Sequence, residues 1–167
     1  GTVTGDKEVG GIAGYGVGTI KNCYALANVT ATATATATGV NAGGIAGYAY
    51  GVTIENCYYS GEVSAKNYAG GIAGTAWRGT IQNCVSLAES VTAGINSVNR
   101  IAGYNYNATL TNNYAWDGTT INGNPVSADD AGWVNGAALT YTNGELSEQF
   151  SDIFKDTDSA WDFTDNG

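Results

Sequence analysis

Histidine and methionine are absent from this chain, proline occurs once, and only 13% of the residues are charged. Without histidine there is no Ser-His-Asp or Cys-His catalytic system and no histidine-ligated zinc. Bases are scarce, six against fifteen acids, and a net charge of -9 argues against binding nucleic-acid phosphates. No apolar run approaches the ~18 residues of a membrane span, so membrane insertion by this segment is not expected. The three cysteines are an odd number and cannot form a closed disulfide set. With no starting methionine and no secretory leader pattern, the expectation is a piece of a larger parent chain.

What is abundant is glycine, 25 of 167 residues, within a composition that is 43% hydrophobic. Such a chain is too apolar and too poor in charge for a disordered tail. The charge is unevenly placed. Residues 1–114 hold five acids and five bases, which cancel, whereas residues 115–167 hold ten acids and only Lys155. This break divides the sequence into a near-neutral body, 1–114, and an acidic C-terminal segment, 115–167.

The body repeats itself. Gly10-Gly11-Ile12-Ala13-Gly14-Tyr15 returns at 43–48, at 70–75 with threonine last, and in worn form as Arg100-Ile101-Ala102-Gly103-Tyr104. A second phrase follows each copy: Thr19-Ile20-Lys21-Asn22-Cys23-Tyr24, then 53–58, 80–85 and 109–114. A third, weaker phrase centres on Val3, Val29, Val63 and Val91. The isoleucines of the first phrase are spaced 33, 27 and 29 residues apart, and the cysteine positions of the second 34, 27 and 29. Two phrases that keep step in this way belong to one structural unit.

Each phrase is short, β-branched or aromatic, and bounded by glycine, which is strand chemistry. Three short strands in ~27–30 residues make one coil of a parallel β-solenoid. A single coil cannot bury its apolar face, but stacked coils at ~4.8 Å can. The sequence therefore predicts an all-β fold: a short parallel β-helix of about four coils, right-handed by the crossover rule. Ile12, Ile45, Ile72 and Ile101 are expected above one another. In the acidic segment, Leu146, Phe150, Ile153 and Phe154 share one helical face, which predicts a short α-helix at about 145–155. This helix is expected to lie on the solenoid end as a cap anchored by Trp116, Trp133 and Trp161.

Gly-Gly-Ile-Ala-Gly-Tyr followed by Gly-Thr-Ile-x-Asn-Cys-Tyr resembles the GLUG-motif repeat. The resemblance covers about residues 9–116. Such repeats occur in large bacterial surface proteins, among them adhesin-like proteins of Bacteroidales type and IgA-specific metalloendopeptidases. It implies a secreted or cell-surface bacterial location and an adhesin-like character. The metalloprotease activity does not carry over, because its His-Glu-x-x-His helix has no counterpart in a chain without histidine.

Most columns have structural readings. Cys23, Cys57 and Cys84, with Asn113 at the fourth place, read as an inward stack of free thiols. Asn22, Asn56, Asn83 and Asn112 read as a corner ladder in the left-handed backbone region. The Tyr15, Tyr48, Tyr104 column, broken by Thr75, and the Tyr24, Tyr58, Tyr114 column, broken by Val85, read as buried or half-buried stacks, core or wall packing. Thr30 to Thr38 alternates threonine and alanine and reads as an extended insertion, a strand pair projecting from the body. Asp156, Asp158 and Asp162 have calcium-loop character but lack the glycine and closing glutamate of an EF-hand. No metal or cofactor is expected.

One corner carries a binding expectation. Tyr50, Trp77 and Tyr106 fall in register at the turn between the first two phrases, with Val17 at the matching place in the first coil. Arg78 follows Trp77. An exposed aromatic row is a platform for sugar rings or for a partner's side chains. The expected function is thus a non-catalytic repeat domain, a rigid spacer whose corner engages a host or bacterial glycan or surface protein. The alternative is a carbohydrate-active β-helix enzyme, a polysaccharide lyase or glycosidase, for which Glu62 and Glu89 form the available carboxylate pair.

Overall fold

Each repeat opens on a Gly-Gly turn, and that turn sets the shape of a coil. A Cβ added to Gly10, Gly43 or Gly70 would overlap the carbonyl oxygen of Ala13, Ala46 or Ala73 respectively. The strands on either side of the turn therefore lie backbone to backbone, closer than any side chain permits. A computed structural model of the protein describes residues 1–33, 36–126, 132–142, 145–146 and 153–154. It is all-β, a solenoid of about four turns built from stacked parallel strands.

Four ladders run along the solenoid. The first is a nine-stranded sheet whose main path is Thr2–Gly5, Asn28–Ala31, Tyr58–Ala65, Val85–Ala93, Tyr114–Trp116 and Ala137–Leu139. The second stacks Glu8–Gly10, Asn41–Gly43, Tyr68–Gly70 and Val98–Asn99; the third Ala13–Gly16, Ala46–Tyr50, Ala73–Trp77 and Ala102–Tyr106. The fourth stacks Thr19–Lys21, Thr53–Glu55, Thr80–Gln82 and Thr109–Thr111. The sequence predicted three strands per coil. The second ladder was missed because its strands hold three residues or fewer and end against the glycine turn.

The predicted register is found. Val3 pairs Val29, Val29 pairs Val63 and Val63 pairs Val91, after which Ile121 continues the column. The amides of Ile12, Ile45 and Ile72 each donate to the carbonyl of the isoleucine one coil on, at 3.0, 2.9 and 2.9 Å. Ile45, Ile54, Ile72, Ile81 and Ile101 are fully buried, and each such side chain contributes about 1.5–3 kcal/mol. Ile12, with a neighbouring coil on one side only among the described residues, is 45% exposed.

The polar columns explain how the corners turn. Asn22, Asn56, Asn83 and Asn112 all take positive φ, between 51° and 55°. Asn56 Nδ2 donates to Asn22 Oδ1 at 3.2 Å and Asn112 Nδ2 to Asn83 Oδ1 at 2.7 Å. The three thiols stand in file and are free, Cys57 and Cys84 buried and Cys23 partly open. Asn113 closes the file: its Oδ1 accepts from Cys84 N at 3.1 Å and its Nδ2 donates to Ile81 O at 2.8 Å. Burial pushes the Cys84 thiol well above its ordinary pKa. A thiol reagent added to folded protein is expected to modify Cys23 alone, and all three cysteines only after unfolding. Equal labelling of Cys23 and Cys84 in the folded state contradicts the stack. The raised value also gives a pH dependence. The contribution of Cys84 burial is intact below the unfolded thiol value of about 8.5 and is lost as pH rises through the folded one.

The C-terminal expectations need correction. The parallel ladder does not stop at residue 114: Tyr114–Trp116 straddles the charge break and Ala137–Leu139 pairs onto it. Glu145–Leu146, expected in the helix, is a strand antiparallel to Tyr141–Thr142. Ile153 and Phe154 are helical and buried, but they pack with Val85 and Leu139, beside Tyr58, Leu87 and Tyr114. That cluster is the outer flank of the long sheet, not the solenoid end. It also explains the valine that interrupts the tyrosine column, since Phe154 and Ile153 occupy the space beside it. Trp133 anchors nothing there, being 64% exposed; its turn contributes the Val134 carbonyl, which accepts from Ile101 N and Ala102 N. The expected helix at 147–152, Trp161 and the three aspartates at 156, 158 and 162 lie outside the described residues. The threonine-alanine segment begins as a strand in the parallel ladder, Asn28–Ala31, continued by Thr32 N to Gly5 O and Ala33 N to Asp6 O. Residues 30–33 are thus body rather than a projecting hairpin.

Candidate functional site

The third ladder presents one side to the core and the other to solvent. Alternation along a strand sends Ala49 and Ala76 inward, where both are buried, and Tyr48, Tyr50 and Trp77 outward. Register places Trp77 opposite Tyr50 on one side and Tyr106 on the other, as the repeat spacing predicts. Their rings divide unevenly. Trp77 and Tyr106 stack at 4.0 Å between centroids with 20° between planes, whereas Tyr50 stacks on Tyr15 at 6.4 Å. Tyr15 in turn lies parallel to Tyr48 at 5.5 Å and 3°.

The platform is therefore wider than the row read from the sequence. Tyr15 and Tyr48, expected as buried or half-buried packing, belong to the same outer face as Tyr50, where Tyr48 is half-buried and Tyr15 is exposed. Tyr68, which no repeat phrase singled out, stacks on Tyr104 at 5.0 Å from the neighbouring second ladder. Between Tyr48 and Tyr104 the column is interrupted by Thr75, which is only 2% exposed. Tyr68 belongs to the same coil as Thr75 and lies one level from Tyr104, where the ring absent at Thr75 would have stacked. The signal that could have found it is position: Tyr68 lies two residues before the glycine turn, where Glu8 and Asn41 stand in the coils before it.

Electrostatically the face is mainly phenolic, with Glu8 and Arg78 as the charged groups at its margins. Burial, then the nearby Tyr15 and Glu8, raise the Tyr48 phenol above its ordinary pKa, so it stays protonated and able to donate. Tyr50 is 43% exposed and Tyr106 38%, and Trp77 is half-buried. Arg78 stands exposed at the end of the Trp77 strand, with its amide donating to Tyr106 O at 2.8 Å.

No protein-family model, curated protein or solved structure matches this chain.

The carboxylates weighed for catalysis are placed differently. Glu62 pairs with Ser90, and Glu89 is the extra residue of a bulge in the long sheet. Asn28 holds Glu62 in place, donating to its carboxylate at 3.3 Å and accepting from its amide at 3.1 Å. Both glutamates belong to the first ladder, not to the aromatic third. Among the described residues, no three histidine, cysteine, aspartate or glutamate side chains group closely enough to hold a metal ion.

Proposed function

We propose that this chain is a non-catalytic repeat domain of a secreted or cell-surface bacterial protein, a rigid spacer whose aromatic corner binds a glycan. The observation that carries the reading is the Trp77–Tyr106 pair, stacked at 4.0 Å yet reachable from solvent, with Tyr50 in register beside it. Stacking covers one face of each ring; the other face of Trp77, toward Tyr50, which stacks on Tyr15 instead, is the one that packs against the C–H face of a pyranose ring, and the surrounding phenol hydroxyls supply hydrogen bonds to sugar hydroxyls. The side chains are fixed on strands rather than on loops, so little ordering entropy opposes binding. The resemblance of the repeats to the GLUG motif supports the surface location and the adhesin-like character. A chain free of histidine, whose candidate glutamates stand on a different ladder, supports the non-catalytic reading.

Glycan-array or affinity-electrophoresis binding is the direct test. Trp77→Ala is expected to weaken binding at least tenfold, equivalent to about 1.4 kcal/mol, with the fold unchanged by circular dichroism. Absence of binding to every glycan and surface protein reduces the domain to a spacer. Release of reducing ends or unsaturated sugars from a polysaccharide overturns the non-catalytic reading.

A further inference from the structure

Arg78 occupies a backbone position built for other residues. It has φ of 58°, in the left-handed region, and so do its counterparts in the neighbouring coils: Gly18 at 86°, Gly51 at 59° and Asn107 at 55°. Glycine adopts this conformation freely and asparagine tolerates it, whereas a long β-carbon-bearing side chain strains it. Three of the four coils therefore use the residues the turn prefers, and the coil carrying the only tryptophan of the aromatic corner does not.

Among the described residues nothing accounts for the arginine. Its side chain is exposed. Among the described residues its guanidinium takes part in no salt bridge; the recorded surface pair is Lys21 with Glu55, at 3.6 Å. Its one described hydrogen bond, to Tyr106 O, comes from the backbone amide and is available to any residue except proline. Strain held at an exposed, unpaired charge beside a stacked aromatic pair marks a residue kept for a ligand rather than for the turn.

We infer that the ligand of this corner is an anionic glycan, its pyranose ring on the face of Trp77 that Tyr106 leaves open and its carboxylate or sulfate on Arg78. The inference rests on the glycan-binding reading and narrows it to a charge class. Guanidinium presents a planar fork of donors that matches a carboxylate or sulfate in a two-bond geometry. The acidic balance of the chain does not oppose this, because acids and bases cancel over residues 1–114. Of the solenoid acids on the adjoining ladders, Glu55 pairs with Lys21 at 3.6 Å, and Glu8 lies by Tyr48 in the first two coils, below the Trp77 coil.

The test compares three soluble probes on the full chain: an oligogalacturonate for carboxylate, dextran sulfate for sulfate, and cellohexaose as a neutral control. One anionic probe is expected to bind at least tenfold more tightly than cellohexaose at low salt, and the difference is expected to shrink as salt rises. The probe that shows the preference identifies the anion. Arg78→Asn, which installs the residue found at 107, is expected to remove the preference, bringing the anionic probe to within about twofold of cellohexaose. The same variant is expected to melt at or above the wild-type temperature, because it relieves the strained φ. A preference that survives Arg78→Asn, or a marked fall in melting temperature, overturns the inference. Binding of cellohexaose that needs Trp77 but shows no anionic preference overturns the charge class and leaves the aromatic reading standing. Failure of all three probes overturns the inference, and the glycan-binding reading falls with it only when the glycan array is blank as well.

Discussion

Gly43→Ala is expected to cost about 3–5 kcal/mol of stability, a large share of the total in a domain of this size. The added methyl would overlap the Ala46 carbonyl oxygen and lie 2.8 Å from Ala73 Cα, in the next coil. Every atom in its way is backbone, so no rotamer change relieves the clash. Relief requires the second and third ladders to separate, and each strand there is held on both sides by further coils. Gly18→Ala is the control. Gly18 has φ of 86° but nothing within 4 Å of an added Cβ, so only the left-handed preference is lost, about 1–2 kcal/mol. Urea unfolding followed by circular dichroism separates the two. Equal losses in both variants would mean that the Gly-Gly turn is conserved between coils for turn conformation, not for close approach.

That distinction bears on how much the sequence could reveal. The stacking, the number of coils and the isoleucine, valine, cysteine and asparagine columns were legible because neighbouring coils repeat the same chemistry at the same phase. Repetition converts a weak strand signal into a strong one: three residues such as Thr19–Lys21 carry little information, but four aligned copies carry much. The same reasoning explains what escaped. The second ladder varies from Glu8 to Asn41 to Tyr68, so no column was visible, and with it went Tyr68 as part of the platform. The cap has no repeat at all, so only helical periodicity was available, and it misplaced Glu145 and Leu146. The aromatic corner stands between these cases. Register correctly brought Tyr50, Trp77 and Tyr106 together, but ring orientation depends on side-chain torsions, and spacing alone cannot separate Tyr50 stacked on Tyr15 from Tyr50 stacked on Trp77.

The repeat also breaks once in a way that predicts a large effect. Gly11, Gly44 and Gly71 occupy the second glycine of the turn, and at the fourth copy the residue is Arg100. In the inner coils a side chain is impossible there: an added Cβ on Gly44 would overlap Gly71 O and the Tyr59 ring, and one on Gly71 would overlap Arg100 O and Ser86 Oγ. At each of the three glycines the carbonyl of the next coil's copy, that of Gly44, Gly71 or Arg100, lies where a Cβ would go; at the fourth copy that repeat contact ends, and the Arg100 amide meets the Asn135 side chain instead. Arg100 is wholly buried. Its Nη1 donates to Trp116 O at 3.3 Å, its Nη2 to Gly136 O at 3.1 Å, and its amide to Asn135 Oδ1 at 3.2 Å. The arginine thus joins the last regular coil to the turn that closes the stack, the turn whose Val134 carbonyl also receives Ile101 N and Ala102 N. Arg100→Gly restores the repeat consensus, and judged by the pattern alone it should stabilise. The packing argues the reverse. Removing the side chain leaves the buried Gly136 carbonyl and the half-buried Trp116 carbonyl without these donors and a cavity the size of the guanidinium and its stem, an expected loss of about 3–5 kcal/mol. Hydrogen exchange adds the location: the Ile101 and Ala102 amides should lose protection before those of Ile45 and Ala46, which lie deeper in the stack. A stabilised Arg100→Gly variant, or loss of protection spread evenly over the coils, would show that the turn at 133–136 closes the solenoid without help from the arginine.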